Sequence, residues 1–225
     1  MIEVTRTGDV FVLTMIAGEN RFNPTMLGAL EQGLDEVEAS EGAAAVVLTG
    51  QGKFFSYGLD LEWMMANAEE GGPALVANAL QALYRRLVVF PTATVAAVNG
   101  HAFAGGGMLA LACDQLVMRS DRGFFCLPEV EINIPFTDGM AKLVQAKLTP
   151  SAAYEAMLTG RRFTADEALA AGFVAAAVPE ADVVPAAVER AQALAGRARA
   201  TVETIKQRMY GDVAAALAAE VTALV

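Results

Sequence analysis

Residues 94–114 read TVAAVNGHAFAGGGMLALACD. A small apolar strand runs into a glycine-dense corner, and an apolar helix leads on to Asp114. Gly105, Gly106 and Gly107 carry no side chain to block a close approach. The first N–H groups of a helix have no intrahelical acceptor, so at such a corner they are free to point at a ligand oxygen. One position past the glycines stands Met108, whose thioether cannot carry a proton.

The bulk numbers narrow the classes. With 225 residues, the chain suits one domain or one domain plus a small appendage. It is 55% apolar, too apolar for disorder and more than a monomeric core needs, so a buried subunit interface is expected. A formal net charge of −10 argues against nucleic acid, which wants a basic face. Any anionic ligand must then be held by local groups, because the overall field repels it. Cys113 and Cys126 stand in no metal or redox spacing and read as small buried hydrophobes in a reducing compartment. His101 is the single histidine, so a zinc site, a triad or a histidine relay lacks its partners, and no metal is expected. No signal peptide opens the chain, and no apolar run reaches ~18 residues without Gly, Pro or charge. A soluble, cytoplasmic protein with no membrane partner is the expectation.

Along the chain, residues 2–6 and 10–16 alternate β-formers around Gly8-Asp9, a hairpin signal. Asn23-Pro24 reads as the cap and first residue of a helix with the stripe Met26, Leu27, Leu30, Leu34, Val37. Ala45–Thr49 is a short buried strand, followed by the loop GQGKFFSYG, and Asp60 caps the short helix LEWMM. Gly71-Gly72-Pro73 breaks the chain before a helix over 74–89, and Thr94–Val98 and 115–119 are strands. After Asp138 only Val174–Val178 suggests a strand, so the chain divides near 148 into an α/β body and a helical tail. The tail carries a stripe of Val202, Ile205, Met209, Val213 and Leu217 that must dock on the body or on a neighbour. AVVLTG…FFSYGLDL and TVAAVNG…AGGGMLAL repeat one plan: strand, glycine loop, short helix. Two such corners on one sheet can place two N–H donors on a shared cleft.

Four readings of the glycine corner compete. No Gly-Lys-Ser/Thr follows it, which removes the phosphate loop. Gly105 to Ala110 satisfies G-x-G-x-x-A, but Gly100–Ala104 separates strand from fingerprint where a dinucleotide fold keeps them adjacent. Tight helix–sheet packing without a ligand is the third reading. The fourth is an oxyanion site, and the first corner strengthens it.

Phe55-Ser56-Tyr57-Gly58-Leu59-Asp60-Leu61, then Ala97-Val98-Asn99-Gly100-His101-Ala102 through Gly105-Gly106 to Cys113-Asp114, then Pro128-Glu129 occur in that order. In these segments the chain resembles the crotonase, or enoyl-CoA hydratase/isomerase, superfamily. ENRFNP, KFFSYGLD and MRSDRG are most similar to its Δ3,Δ2-enoyl-CoA isomerase branch. The resemblance covers most of the chain and is densest over 44–136. It implies an α/β fold, a crotonase-like ββα spiral of short sheets over 1–148 with an acyl-CoA site. The helical segment 149–225 would serve oligomerisation in a homotrimer or hexamer. It implies an acyl-CoA thioester substrate, of which coenzyme A is a part, and no separate cofactor. Carried over, the backbone N–H groups of Tyr57 and Gly105 form the oxyanion hole for the thioester carbonyl. The match also puts Ser56, Gly58, Asp60 and Gly106 along the substrate site, Arg21 and Phe22 near the adenine end, and Lys53 beside a phosphate or simply in solvent.

Family hydratases place one glutamate at the Met108 position and a second at the Pro-Glu position. Methionine leaves Glu129 as the one matched carboxylate, enough to move a double bond by taking a proton from C2 and returning it at C4. Such a base needs shielding that raises its pKa toward neutrality, and Phe124, Phe125, Leu127, Ile132, Ile134 and Phe136 are candidates to supply it. If the segment is a strand, alternation puts Glu131 on the same face as Glu129, and periodicity does not choose between them. His101 and Asp114 read as structural. Trp63, Met64 and Met65 fit either an acyl tunnel or a core stripe. The rivals are a hydratase, a non-catalytic acyl-CoA binder and, as an outsider, a dinucleotide oxidoreductase.

Overall fold

The computed structural model describes residues 1–222. Strand β1 (Ile2–Thr7) forms a hairpin with β2 (Val10–Met15) about Gly8, and the two-residue β3 (Arg21–Phe22) follows. Helix α1 (Pro24–Ala39) starts as its sequence says: the Asn23 side chain accepts the Met26 N–H at 3.0 Å, and Pro24 occupies the first turn. Then come β4 (Ala45–Gly50), β5 (Phe54–Ser56), β6 (Gly58–Leu59), α2 (Leu61–Ala66) and α3 (Gly72–Val88). The second corner supplies β7 (Ala93–Val98), β8 (His101–Phe103), α4 (Gly105–Ala112) and β9 (Gln115–Arg119). Beyond it lie β10 (Phe125–Cys126), α5 (Asp138–Lys147), α6 (Pro150–Thr159), α7 (Ala165–Ala170), β11 (Ala176–Val178), α8 (Val183–Ala195) and α9 (Arg199–Leu217).

Three sheets build the spiral. The main sheet runs β1-β2-β4-β7-β9-β11, and every pairing after the hairpin is parallel. A three-stranded sheet β10-β8-β5 and the pair β3-β6 complete it. The AVVLTG and ATVAAV strands are buried along their whole length, as parallel strands covered on both faces must be. Their alternate residues feed different layers. Val10, Val12, Ala45, Val47, Val95 and Ala97 pack with Val183, Ala187 and Ala191 of α8. Leu13, Val46, Leu48, Ala96 and Val98 belong to the larger core that includes α1, α3 and α4.

Residues after 148 do not fold apart from the body. β11 extends the main sheet, α8 seals one face, and Val213 and Leu217 of α9 join the larger core. The expected α9 stripe divides between body and surface. Val213 and Leu217 dock, but Ile205 and Met209 are exposed, and the docked side carries Lys206 instead. Lys206 is held by Asp114 at 2.6 Å and donates to the Thr92 carbonyl at 2.8 Å.

Candidate active site

The two glycine corners are clamped together through backbone groups. The Asn99 side chain accepts the Gly50 N–H at 2.9 Å and donates to the Gly52 carbonyl at 3.0 Å. Gly100 lies so close to the Lys53 carbonyl that no Cβ fits there, and β5 and β8 pair in parallel beside it. The corners then touch at Gly58, where φ is +92° and a Cβ would sit 3.1 Å from the Gly105 nitrogen.

Ala104 turns the chain into α4 with φ 48° and ψ −124°, a conformation sparsely populated outside glycine. Its own N–H is tied to the Cys126 carbonyl at 2.9 Å. The next N–H, that of Gly105, opens the helix and has no acceptor among the described residues. The donor expected from Tyr57 requires correction: its N–H is spent on the Glu19 carbonyl at 2.9 Å. The N–H that this corner leaves toward the cleft is that of Leu59. In a parallel ladder only alternate residues bond the neighbouring strand. Asp60 gives its N–H to Phe22 at 3.0 Å, so the Leu59 N–H points the other way, and Leu59 lines the cleft with Gly105.

That cleft has a volume of about 350 Å³. Its walls are mostly apolar, with Leu61, Leu80, Met108, Ile132, Ile134 and Met140 among them. Glu129 enters it from a single 3-10 turn, Pro128–Val130, directly after β10. It is 5% exposed and is the one buried carboxylate among the described residues; its Oε2 has no hydrogen-bond partner among them. Burial pushes its pKa up to about 7, an effect only partly offset by its own backbone N–H. The turn parts the two carboxylates in burial, although both line the cleft. Alternation does not apply to a 3-10 helix, so Glu129 is buried while Glu131 is exposed, its carboxylate against Gly160.

The other expected residues divide. Arg21 lines the cleft mouth, paired with Glu19 at 2.7 Å and lying over the Tyr57 ring at 4.9 Å. Phe22, Ser56 and Gly106 are fully buried and do not line the cleft. Phe22 is core, and Ser56 Oγ donates to the Asn20 carbonyl at 2.7 Å while accepting the Gly58 N–H at 3.1 Å. Gly106 admits no Cβ because of the Ser56 carbonyl. Asp60 caps α2 by accepting the Trp63 N–H at 3.1 Å, and it also accepts from Asn23 at 2.9 Å. Lys53 is exposed, its ammonium over the Phe54 ring at 5.1 Å. His101 packs among Phe54, Phe103 and Phe124, and burial with Lys53, Arg122 and Arg162 nearby lowers its pKa. Met64 is core, Trp63 packs partly buried against it and Met65 is exposed; none of the three is among the residues lining the cleft. Leu59, Leu80, Met140 and Arg162 escaped sequence reasoning. The first takes its direction from the Asp60–Phe22 backbone bond, between segments distant in sequence, and the others read as ordinary helix or loop residues.

The family model for enoyl-CoA hydratase/isomerase matches residues 6–224. The chain belongs to that family. Among curated relatives, it is 33% identical to enoyl-CoA delta isomerase 2, peroxisomal, of Arabidopsis thaliana, over 98% of this chain and 96% of that one. A putative enoyl-CoA hydratase of Thermus thermophilus is 38% identical, over 87% of this chain and 76% of the relative. In structure, a probable enoyl-CoA hydratase of Mycobacterium tuberculosis superposes with a TM-score of 0.90 at 28% identity. That match covers 97% of this chain and 92% of the other. The family's crotonase fold is thus the fold of this chain, the family acts on acyl-CoA thioesters, and no helix among the described residues is long and apolar enough to cross a membrane.

Proposed function

We propose that this protein moves the double bond of a 3-enoyl-CoA to give the trans-2-enoyl-CoA. One observation carries the reading: the buried carboxylate Glu129 shares an apolar cleft with Met108, the position at which the resemblance puts a hydratase's second glutamate. The thioester carbonyl oxygen accepts the N–H groups of Leu59 and Gly105. Glu129 takes a proton from C2, and the electron pair moves into the carbonyl as a dienolate. The same carboxyl group returns the proton at C4, so the double bond ends between C2 and C3 and atoms balance. Preorganised donors matter because the negative charge develops on that oxygen; losing one typically costs about 3–4 kcal/mol of barrier. A carboxylate near pKa 7 is matched to giving back what it takes. No metal or redox group is needed, since Glu129 carries the proton and the two N–H groups carry the charge. Arg21 and Arg162 at the cleft, with Lys53 and Arg122 near His101, offer local positive charge for the coenzyme A phosphates on an acidic chain. The exposed Ile205 and Met209 of α9 fit the trimeric or hexameric assembly we propose.

A second reading, hydration, draws on Glu131, which lines the same cleft. Incubation of the purified protein with 3-enoyl-CoA, product analysis by chromatography, and repetition with Glu129→Gln decide between them. Isomerisation that Gln abolishes while acyl-CoA binding persists supports the proposal. Fast hydration of 2-enoyl-CoA with no isomerisation overturns it, and binding without any turnover points to a non-catalytic acyl-CoA binder.

A further inference from the structure

Nothing in the mechanism so far uses Tyr84. It sits on α3, fully buried, and its hydroxyl donates to the Gly105 carbonyl at 2.7 Å, the most favourable length for such a bond. A Cβ at Gly105 would lie 3.1 Å from that same oxygen. The corner it touches is hard to hold. Three successive glycines have the most backbone freedom to lose on folding, and Ala104 just before them is in a strained conformation. On the near side the Ala104 N–H is tied to Cys126. On the far side Tyr84 ties the Gly105 carbonyl. Between these two anchors lies the one N–H that faces the cleft. Burial and the charge of Glu129 both push the phenol's pKa well above its ordinary value, so the hydroxyl stays a donor throughout the working pH range.

We infer that Tyr84 is a positioning residue: by fixing the Gly105 carbonyl it aims the Gly105 N–H at the thioester oxygen. The inference rests on the oxyanion reading of the cleft. It gives α3, whose Leu80 already lines the cleft, a second role that needs no contact to substrate, and it explains why a polar aromatic occupies a position where phenylalanine would satisfy packing.

The test compares the full-length protein with Tyr84→Phe, which removes only the hydroxyl. Infrared spectra of a bound 2-enoyl-CoA report how strongly the carbonyl is polarised, and steady-state kinetics separate kcat from KM. Expected is a folded variant with KM within about twofold of wild type and kcat lowered roughly tenfold. Its bound carbonyl band should lie closer to the free thioester's frequency. A pure packing residue would leave that band where it is. Should Tyr84→Phe not fold, 3-fluorotyrosine at position 84 sharpens the donor with little change of shape. The carbonyl band then shifts if the hydroxyl tunes the corner, and an unmoved band overturns the inference. A wild-type carbonyl shift that survives in Tyr84→Phe overturns this inference alone. A wild-type protein with no carbonyl shift overturns the oxyanion reading and this inference with it.

Discussion

Gly58 and Gly105 meet at the floor of the cleft, where a Cβ on Gly58 would stand 3.1 Å from the Gly105 nitrogen. The absent side chain on the first corner is what lets the second approach it this closely, as the proposed pair of N–H donors requires.

Gly58→Ala tests this juxtaposition. The φ of +92° strains any side chain by about 1–3 kcal/mol, and the new methyl presses on the Gly105 nitrogen. The variant should fold with a melting temperature several degrees lower and lose turnover by roughly 100-fold through the displaced donor. Calorimetry and isomerase kinetics check it; a stable variant with full kcat would separate the two corners functionally.

Met108→Glu would put a second carboxylate on the cleft wall. The site is buried and already holds Glu129, so the new acid is desolvated and repelled, at a stability cost of a few kcal/mol. Formation of 3-hydroxyacyl-CoA from 2-enoyl-CoA should rise above the wild-type level, and isomerisation should fall. Product analysis reads both, and unchanged hydration would mean that Met108 does not decide the chemistry.

Glu129 makes two pH predictions of opposite sign. As a base it works only when ionised, so kcat/KM should climb through about pH 7 and level off above it. Stability runs the other way. The folded pKa is raised above the ordinary value of 4.5, so between about 4.5 and 7 the unfolded chain gives up its proton first. Glu129 then lowers stability as pH rises across that window, by on the order of 3 kcal/mol in all. Relative to wild type, Glu129→Gln should gain stability from pH 4 to pH 8 while losing nearly all turnover. Parallel melting curves at the two pH values test it.

Much of this was legible in the chain because it depends on local signals. Asn23-Pro24, Asp60 and the Gly8 hairpin carry their own cap and turn chemistry, and the largely apolar β4 and β7 read as strands of an α/β body. What failed depended on partners distant in sequence. Tyr57 loses its N–H to Glu19, and Leu59 gains its direction from a two-residue ladder with Phe22; no periodicity reveals either. Alternation alone did not separate Glu129 from Glu131, the family resemblance chose Glu129, and one 3-10 turn parts the two in burial. On α9 the apolar stripe did not announce that a buried lysine, satisfied by Asp114, shares the docked face.

That last pair yields a prediction free of the reaction. Asp114 bonds Lys206 at 2.6 Å and accepts the Thr94 N–H at 2.8 Å, while Lys147 donates to the Cys113 carbonyl beside it. Burial lowers the pKa of both lysines, and the Asp114 charge holds them up. Asp114→Asn keeps the shape but leaves two desolvated ammonium groups without their carboxylate, a loss typically about 3–5 kcal/mol for a broken buried pair. The sign with pH then follows. A lysine whose folded pKa falls below the unfolded value of about 10.4 binds fewer protons folded than unfolded, so stability rises with pH across the gap. Denaturant melts should therefore show Asp114→Asn far weaker than wild type at pH 7 and recovering part of the difference by pH 9–10. A variant equally weak at both would place the damage in the lost Thr94 bond rather than in the charges.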